Sequence, residues 1–560
     1  MTNLVYTIKN RKEVFMYLKD ALRIAIFNII KENLTDVEVF YPPFEIQYLK
    51  NKENREYISK IVTDRIENAL RVLKETGKAF EALEELKVSP SRNLLIPKKN
   101  LFDFRKCCYA EPLDEIIFLT LVLMISTNIE RKRIATQNNI VYSYRLKKAL
   151  SNSTAPTYLF DSSYNYTKFR SDITKKTSEL NAKVVVACDI SNFYDRLNLH
   201  RLENTLLALP GINKNIVILI NELLLFWSNR DSYGLPVGSN ASRILAEASL
   251  ISIDKYLLDK KIVFSRFVDD FRFFAKDARQ AHSWLSILVE RLNQEGLFLN
   301  TSKTKIKSAV DIKRDDFMPE QKQDSTDTEL EKSVLPPIIR GYSGVIPTKF
   351  RKISAREECK LKTLDIAEFK KEKIDIDLIE PENLQKYIRL LIAQQKWNFL
   401  IDAVNILNRF PQFIPYYLDC ISKYLNEKKL PLEFRNTIFE TGKDSSLLEY
   451  LRIYIFRFLS NSDSYTKEIL NVYLNLKRSE GVYLGRSILE SIGSSLSRDD
   501  LLEIKNGFIR ADKSEKRIIL LLLRKKLTKD EFNIFLKNIS LTEDEPWFDL
   551  IRKDEENSPY

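Results

Sequence analysis

Three carboxylates stand where the sequence could hold a divalent cation. Asp189 ends the run KVVVAC, a β-branched stretch too apolar for a surface, and a carboxylate at the end of a buried strand is fixed rigidly at a sheet edge. Asp269 and Asp270 lie in IVFSRFVDDFRFFAKD, whose β-type flanks predict a hairpin with both acids at its turn. Adjacent like charges repel, so gathering them beside a third carboxylate makes sense when cations compensate. Alone, each has a plainer reading: Asp189 as the cap of a following helix, the Asp-Asp pair as an exposed turn. Between them, YGLPVGSNASRILAEASLISIDKYLL is a Gly-Leu-Pro-x-Gly loop opening an amphipathic helix. Its glycines permit close backbone approach, and the small Ser239, Ala241 and Ser242 leave room for a base or sugar; an ordinary capped helix competes with that reading. Downstream, EGLFLNTSKTKI sets Lys303 and Lys305 after a short turn, where an ammonium could neutralise or protonate a pyrophosphate, or simply face solvent.

The elements that must position these groups follow from pattern. Apolar residues recur at helical spacing over residues 11–33 and 52–87, separated by the aromatic loop VFYPPFEIQY. From Asn93 to about Lys307 short β-type runs alternate with helical ones, a mixed α/β texture. The highly charged DIKRDDFMPEQKQDSTDTELEKS reads as a linker or exposed insertion, and beyond Lys360 the chain becomes a succession of amphipathic segments such as NLQKYIRLLIAQQKW, the texture of a helical repeat. This gives an α+β chain with an N-terminal helical extension over 1–90, a core domain over 91–310, a linker over 311–350 and an all-α domain over 351–560.

Composition excludes several classes. With 560 residues, 44% hydrophobic and 30% charged, the chain is neither disordered nor a membrane bundle, and its 12 glycines favour long helices over turn-rich sheet. Five cysteines without a CxxC pair and two histidines lack the spacing of a structural zinc site and suit reduced thiols. The apolar stretch from Ile116 to Ile125 is too short for a membrane span and MTNLVYTIKNRKEVF has no signal-peptide core, so a cytoplasmic location is expected. The net charge of +12 lies wholly in residues 1–310, with 47 Lys and Arg against 35 Asp and Glu, while 311–560 hold 42 of each. A basic first half suits a polyanionic partner. Within it RKRIATQNNIVYSYRLKKA has no acid, and Arg131, Lys132, Arg133, Arg145, Lys147 and Lys148 suit a nucleic-acid backbone track, a solvated helix face being the alternative.

In order and spacing the four chemical segments resemble palm motifs A to D of reverse transcriptases. DISNFYD is similar to motif A, GLPVGSNASRILAEA to motif B, RFVDDFRFF to motif C and GLFLNTSKTK to motif D, while NLLIPKKNLFDFRKCCY resembles the basic fingers segment. The resemblance implies a right-hand fingers and palm fold and nucleotidyl transfer by two Mg2+ ions per site, about 3.5 to 4 Å apart, with Mn2+ able to substitute. It implies Asp189 and Asp269 as bridging ligands, Asp270 as a weaker ligand and the Ile190 carbonyl completing the shell. It further implies Lys98, Lys99, Arg105 and Lys303 around the triphosphate, Gly234, Pro236 and Gly238 along the nucleotide, and Tyr194 as a steric gate selecting dNTPs, a core aromatic being the plainer reading of Tyr194. Val237 stands where Gln is usual in motif B, and Phe267 where Tyr is usual in motif C. With the helical second half, these features resemble the bacterial defence-associated reverse transcriptases of the abortive-infection (AbiK/AbiA-like) group. That group implies a HEAT-like repeat domain, homo-oligomers and antiphage DNA synthesis without an added template, the single-stranded DNA product being attached to a protein tyrosine. Tyr41 and Tyr48 are the candidate primers. An RNA-templated enzyme with a non-coding RNA partner, and a non-catalytic nucleic-acid scaffold, are the alternatives.

Overall fold

The computed structural model describes residues 16–97, 104–148, 150–309, 349–377, 379–426, 429–539 and 545–553. The expected linker lies outside them except for Lys349 and Phe350. In chain order the first elements are α1 (Leu18–Glu32), α2 (Glu45–Tyr48), α3 (Lys52–Thr76), α4 (Ala79–Leu86), the hairpin β1 (Arg92–Pro97) and β2 (Phe104–Tyr109), and α5 (Pro112–Lys132). They are followed by α6 (Tyr166–Glu179), β3 (Val184–Asp189), α7 (Phe193–Arg196), α8 (Leu199–Leu207), α9 (Lys214–Trp227), α10 (Asn240–Ser249) and α11 (Ile251–Asp259). β4 (Phe264–Phe267), β5 (Asp270–Ala275), α12 (Ala278–Gln294) and β6 (Lys305–Ser308) complete this part. The chain divides into two compact units, one of Met1–Asp36, Pro42–Ser91 and Cys108–Ile339, the other of Val37–Tyr41, Arg92–Cys107 and Arg340–Tyr560.

The first unit is built around a four-stranded antiparallel sheet of order β4-β5-β3-β6. The valines of β3 explain its central place: Val185 and Val186 face opposite sides and both are fully buried. On one side Val185 and Phe274 pack with Phe169 and Ile173 of α6. On the other, Phe273 meets Trp284 of α12 edge to face, with ring centroids 6.5 Å apart. α3 begins where the Asn51 side chain accepts the amides of Glu53 and Asn54 and stops at Gly77, whose φ of 69° is left-handed. α5 is apolar all round and contacts α1, α3, α9 and α10. It is long and apolar enough to cross a membrane by length and composition, contrary to the expectation that no segment would be, but its apolar surface is buried inside the unit.

The second unit contains only helices among its described residues from Ala355 to Lys553. The helix Glu449–Ser460 packs on Leu432–Lys443 and Leu484–Ile492, and Lys513–Lys526 packs on Leu484–Ile492 and Pro546–Lys553. Buried arginines tie turns together: Arg452 donates to the Gly442 carbonyl at 2.9 Å and to Glu480 at 3.2 Å, and Arg486 pairs with Glu490 at 2.9 Å.

Candidate active site

The ladder between β3 and β5 places Asp189 directly opposite Asp270. The β4–β5 hairpin turns through Val268 and Asp269, and the Asp269 carbonyl accepts the amide of Ile190 at 3.2 Å, so the end of β3 is tied to the turn. Asp189 and Asp269 are buried and Asp270 is half-buried. Lys303 reaches Asp189 Oδ2 with Nζ at 3.0 Å, and Arg272 stands 3.8 Å from Asp270 Oδ1. Burial, then the charge of Asp270, pushes the Asp189 carboxyl up to about 6, with Lys303 and Arg272 pulling the other way. The Lys303 ammonium is itself raised against desolvation by Asp189, Asp269 and Asp270. Asn300 donates its amide to the Asp189 carbonyl at 2.7 Å, which brings the turn carrying Lys303 to the strand end.

The loop before α10 is tied to the segment that follows Asp189. Gly234 donates to the Leu197 carbonyl and Leu235 to that of Tyr194, both at 2.9 Å. Gly234 has φ of 101° and Gly238 of 116°, backbone that L side chains rarely adopt, so both positions require glycine; Pro236 lies half-buried between them. Ser239 caps α10 through the Ala241 amide and donates to Glu115 at 2.6 Å, whose carboxyl burial pushes up to about 8. Ser239, Ala241 and Ser242 are all buried against the protein, so the space expected beside them is filled. Tyr194 is half-buried, with its phenol pushed well above the ordinary value by burial, then by Tyr144, with Asp269 also raising it. Arg243 donates to Asn240 at 2.6 Å, pairs with Asp36 and lies 5.3 Å above the Tyr144 ring.

Other expected site residues fall elsewhere. Lys98 and Lys99 lie outside the described residues, and Arg105 is half-buried on β2 in the second unit. Arg133 and Arg145 do not form a surface track. Arg133 donates to Glu247 at 2.7 Å and Arg145 to Glu130 at 3.1 Å, and both are buried because their acidic partners come from other elements. Arg131, Lys132 and Lys148 are exposed, and Lys147 is half-buried. Tyr48 is also corrected: only 5% exposed, with its ring edge-on to Phe44 at 6.0 Å, it is packed as a core residue. Tyr41 is 42% exposed in the second unit, with Arg457 3.4 Å above its ring.

The structure brings forward one residue that the motifs do not signal. Tyr166, the first residue of α6, packs edge-on to Phe267 at 5.2 Å, and its phenol is raised by burial, then by Asp270, with Asp189 adding to the effect. Among the described residues no three His, Cys, Asp or Glu side chains are gathered tightly enough to hold a metal ion. The donor set still suits a hard divalent cation: the two facing carboxylates supply oxygen ligands, and their excess negative charge draws in Lys303 and Arg272.

Residues 133–335 match the family model described as reverse transcriptase (RNA-dependent DNA polymerase). No curated protein matches the chain. Among solved structures, a telomerase from Candida albicans in complex with a TWJ fragment of telomeric RNA is similar at 12% identity, over 79% of this chain and 67% of that one, with a TM-score of 0.29. The corresponding complex from Candida tropicalis gives 12% identity, coverage of 81% and 65%, and a TM-score of 0.28. Apo telomerase from Candida tropicalis gives 11%, 94% and 99%, and 0.25. With the palm-type sheet and the matched family at the same residues, the chain carries a reverse-transcriptase domain, the domain of a nucleic-acid polymerase acting by nucleotidyl transfer.

Proposed function

We propose that the chain is a DNA polymerase of antiphage, abortive-infection defence that adds dNTPs without an external template and starts from one of its own tyrosines. The observation that carries the catalytic part is the facing pair Asp189 and Asp270 with Lys303 3.0 Å from Asp189. Asp189, Asp269 and Asp270, with the Ile190 carbonyl, would hold Mg2+, which when bound polarises the phosphate and the attacking hydroxyl. The acceptor oxygen attacks the α-phosphorus of the dNTP, the bond from that phosphorus to the bridging oxygen breaks, and pyrophosphate leaves. Lys303 neutralises the departing phosphate and can give it a proton. Tyr194 restricts the ribose 2′ position, favouring dNTPs. Gly234, Pro236 and Gly238 shape the path of the nucleotide, and Arg131, Lys132, Lys147 and Lys148 guide the single-stranded product.

Tyr166 takes the place of Tyr48 beside Tyr41 as candidate primer, because its ring lies on Phe267 and its hydroxyl senses both carboxylates. A phenolic oxygen serves as well as a 3′-hydroxyl once its proton is lost to solvent or a neighbouring carboxylate. Resemblance to the abortive-infection group supports a cytoplasmic homo-oligomer with a HEAT-like second half. The test incubates the purified chain with labelled dNTPs and Mg2+, with neither template nor primer, beside Asp269→Ala/Asp270→Ala, on a denaturing protein gel. Label on the wild-type polypeptide that resists ribonuclease and vanishes in the variant is expected. Loss of label after ribonuclease treatment would point to a non-coding RNA template, and no label at all to a nucleic-acid scaffold.

A further inference from the structure

Val268 is a β-branched residue at the tip of the β4–β5 hairpin with φ of 54°, a left-handed backbone that such side chains strongly disfavour. It is completely buried, and both of its peptide groups are fastened by side chains. Its amide donates to Ser143 Oγ at 2.9 Å, and its carbonyl accepts from Arg266 Nη1 at 2.9 Å. Ser143 in turn donates its hydroxyl proton to Glu247. Arg266 holds Glu247 through Nη1 at 3.3 Å and Nη2 at 3.1 Å, and Asp254 through Nε at 2.8 Å and Nη2 at 2.6 Å. Arg133 reaches the same Glu247 at 2.7 Å and the Ser143 carbonyl at 2.6 Å. The segment carrying Ser143 is itself fixed to β4, since Arg266 donates its amide to the Ile140 carbonyl at 2.8 Å and accepts that of Tyr142 at 3.0 Å.

We infer that Ser143, Arg266 and Glu247 are positioning residues that hold Val268 in its left-handed conformation and thereby aim Asp269. The next residue after Val268 is Asp269, whose own carbonyl is tied to Ile190, so a rotation at Val268 would swing one carboxylate away from Asp189. Arg266, Glu247 and Ser143 touch no reacting atom; they act through the backbone of the turn. Glu247 lies on α10, so the clamp also joins that helix to the catalytic turn. The kinetic part of this inference rests on the polymerase reading above.

The test compares Ser143→Ala, Ser143→Thr and Ser143→Ala/Val268→Gly in the full chain. Glycine adopts positive φ without strain, so it should remove the need for the clamp. In Ser143→Ala the kcat for dNTP incorporation is expected to fall at least tenfold while KM stays within twofold. Ser143→Thr should restore most of the rate, and Val268→Gly should recover part of it in the Ser143→Ala background. Amide exchange in a peptide covering 264–275 should rise at least tenfold at the turn in Ser143→Ala, with the flanking strands unchanged. Unchanged exchange and kcat in Ser143→Ala would overturn the clamp, as would a double variant worse than Ser143→Ala alone. If wild type incorporates no nucleotide, the polymerase reading fails, and amide exchange still decides the clamp.

Discussion

Replacing Asp189 by Asn should make the metal-free protein more stable while abolishing nucleotide addition. The folded-state carboxyl sits at about 6 against an ordinary 3.8, because it is buried and faces Asp270. The folded chain therefore holds this proton more tightly than the unfolded chain, and stability is lost as pH rises from the unfolded value through the folded one. The difference, 6 − 3.8, corresponds to about 3 kcal/mol above that window. That value already contains the opposing pull of Lys303, whose ammonium lies 3.0 Å from the carboxylate on a side chain 55% exposed. The gain for Asp189→Asn is therefore about 3 kcal/mol at pH 8, or about 6 °C in Tm for a domain of this size. Thermal unfolding in chelator at pH 8 and pH 4 checks it. The gain should be full at pH 8 and shrink to a small fraction of that at pH 4, where the folded carboxyl is protonated and the unfolded one is about half protonated. Equal melting at pH 8, or a gain at pH 4 as large as that at pH 8, would refute the argument that uncompensated charge destabilises this site.

Four further outcomes are expected. Arg145→Gln, which breaks contacts to Glu130 and to the carbonyls of Ile134 and Val141, should cost about 3 kcal/mol in urea unfolding and leave the salt dependence of nucleic-acid binding unchanged. Arg131→Ala/Lys132→Ala should do the reverse, with stability within about 0.5 kcal/mol of wild type and a log-log salt slope shallower by about 2. Glu115, raised to about 8 from 4.5, should drain stability as pH climbs through that interval, by about 5 kcal/mol as an upper bound, and Glu115→Gln should flatten this pH dependence of the urea midpoint. Gly442→Ala puts a methyl 2.7 Å from Ile455 Cγ2 and 3.3 Å from the Phe456 ring, so it should lower Tm, costing about 1–3 kcal/mol despite the better helix propensity of alanine.

What could be read from the sequence was what depends on neighbours along the chain. The valines before Asp189 made a central strand, the aromatic flanks of Asp269 and Asp270 made a hairpin, and Ser239 made a helix cap, all from local pattern. Asp189 itself does not cap the next helix; Asn192 occupies that position with φ of 48°. The misreadings concern long-range partners. The segment with Arg133 and Arg145 has no acid inside it, yet Glu130 precedes it and Glu247 arrives from α10, so a stretch that reads as a cationic track turns inward. Tyr48 read as an available phenol because its aromatic loop is rich in proline, whereas Phe44, Ile46 and Leu49 beside it are all buried. The left-handed Val268 gives no local signal, since nothing about valine announces positive φ; only the side chains converging on its peptide groups explain it.

The uniform apolarity of α5 carries a consequence for biosynthesis. Its 18-residue window has a mean hydropathy of 1.5, and its partners α9 and α10 are encoded downstream. At a synthesis rate of about 5–20 residues per second, the helix leaves the ribosome on the order of 10 s before α10 exists to cover it. During that interval the nascent chain displays an apolar segment as long as a membrane span, with α1 and α3 already made to shield it. Production of this protein should therefore depend on co-translational chaperoning, and truncations ending between α5 and α10 should aggregate or be drawn to membranes although the completed fold keeps that helix in its interior.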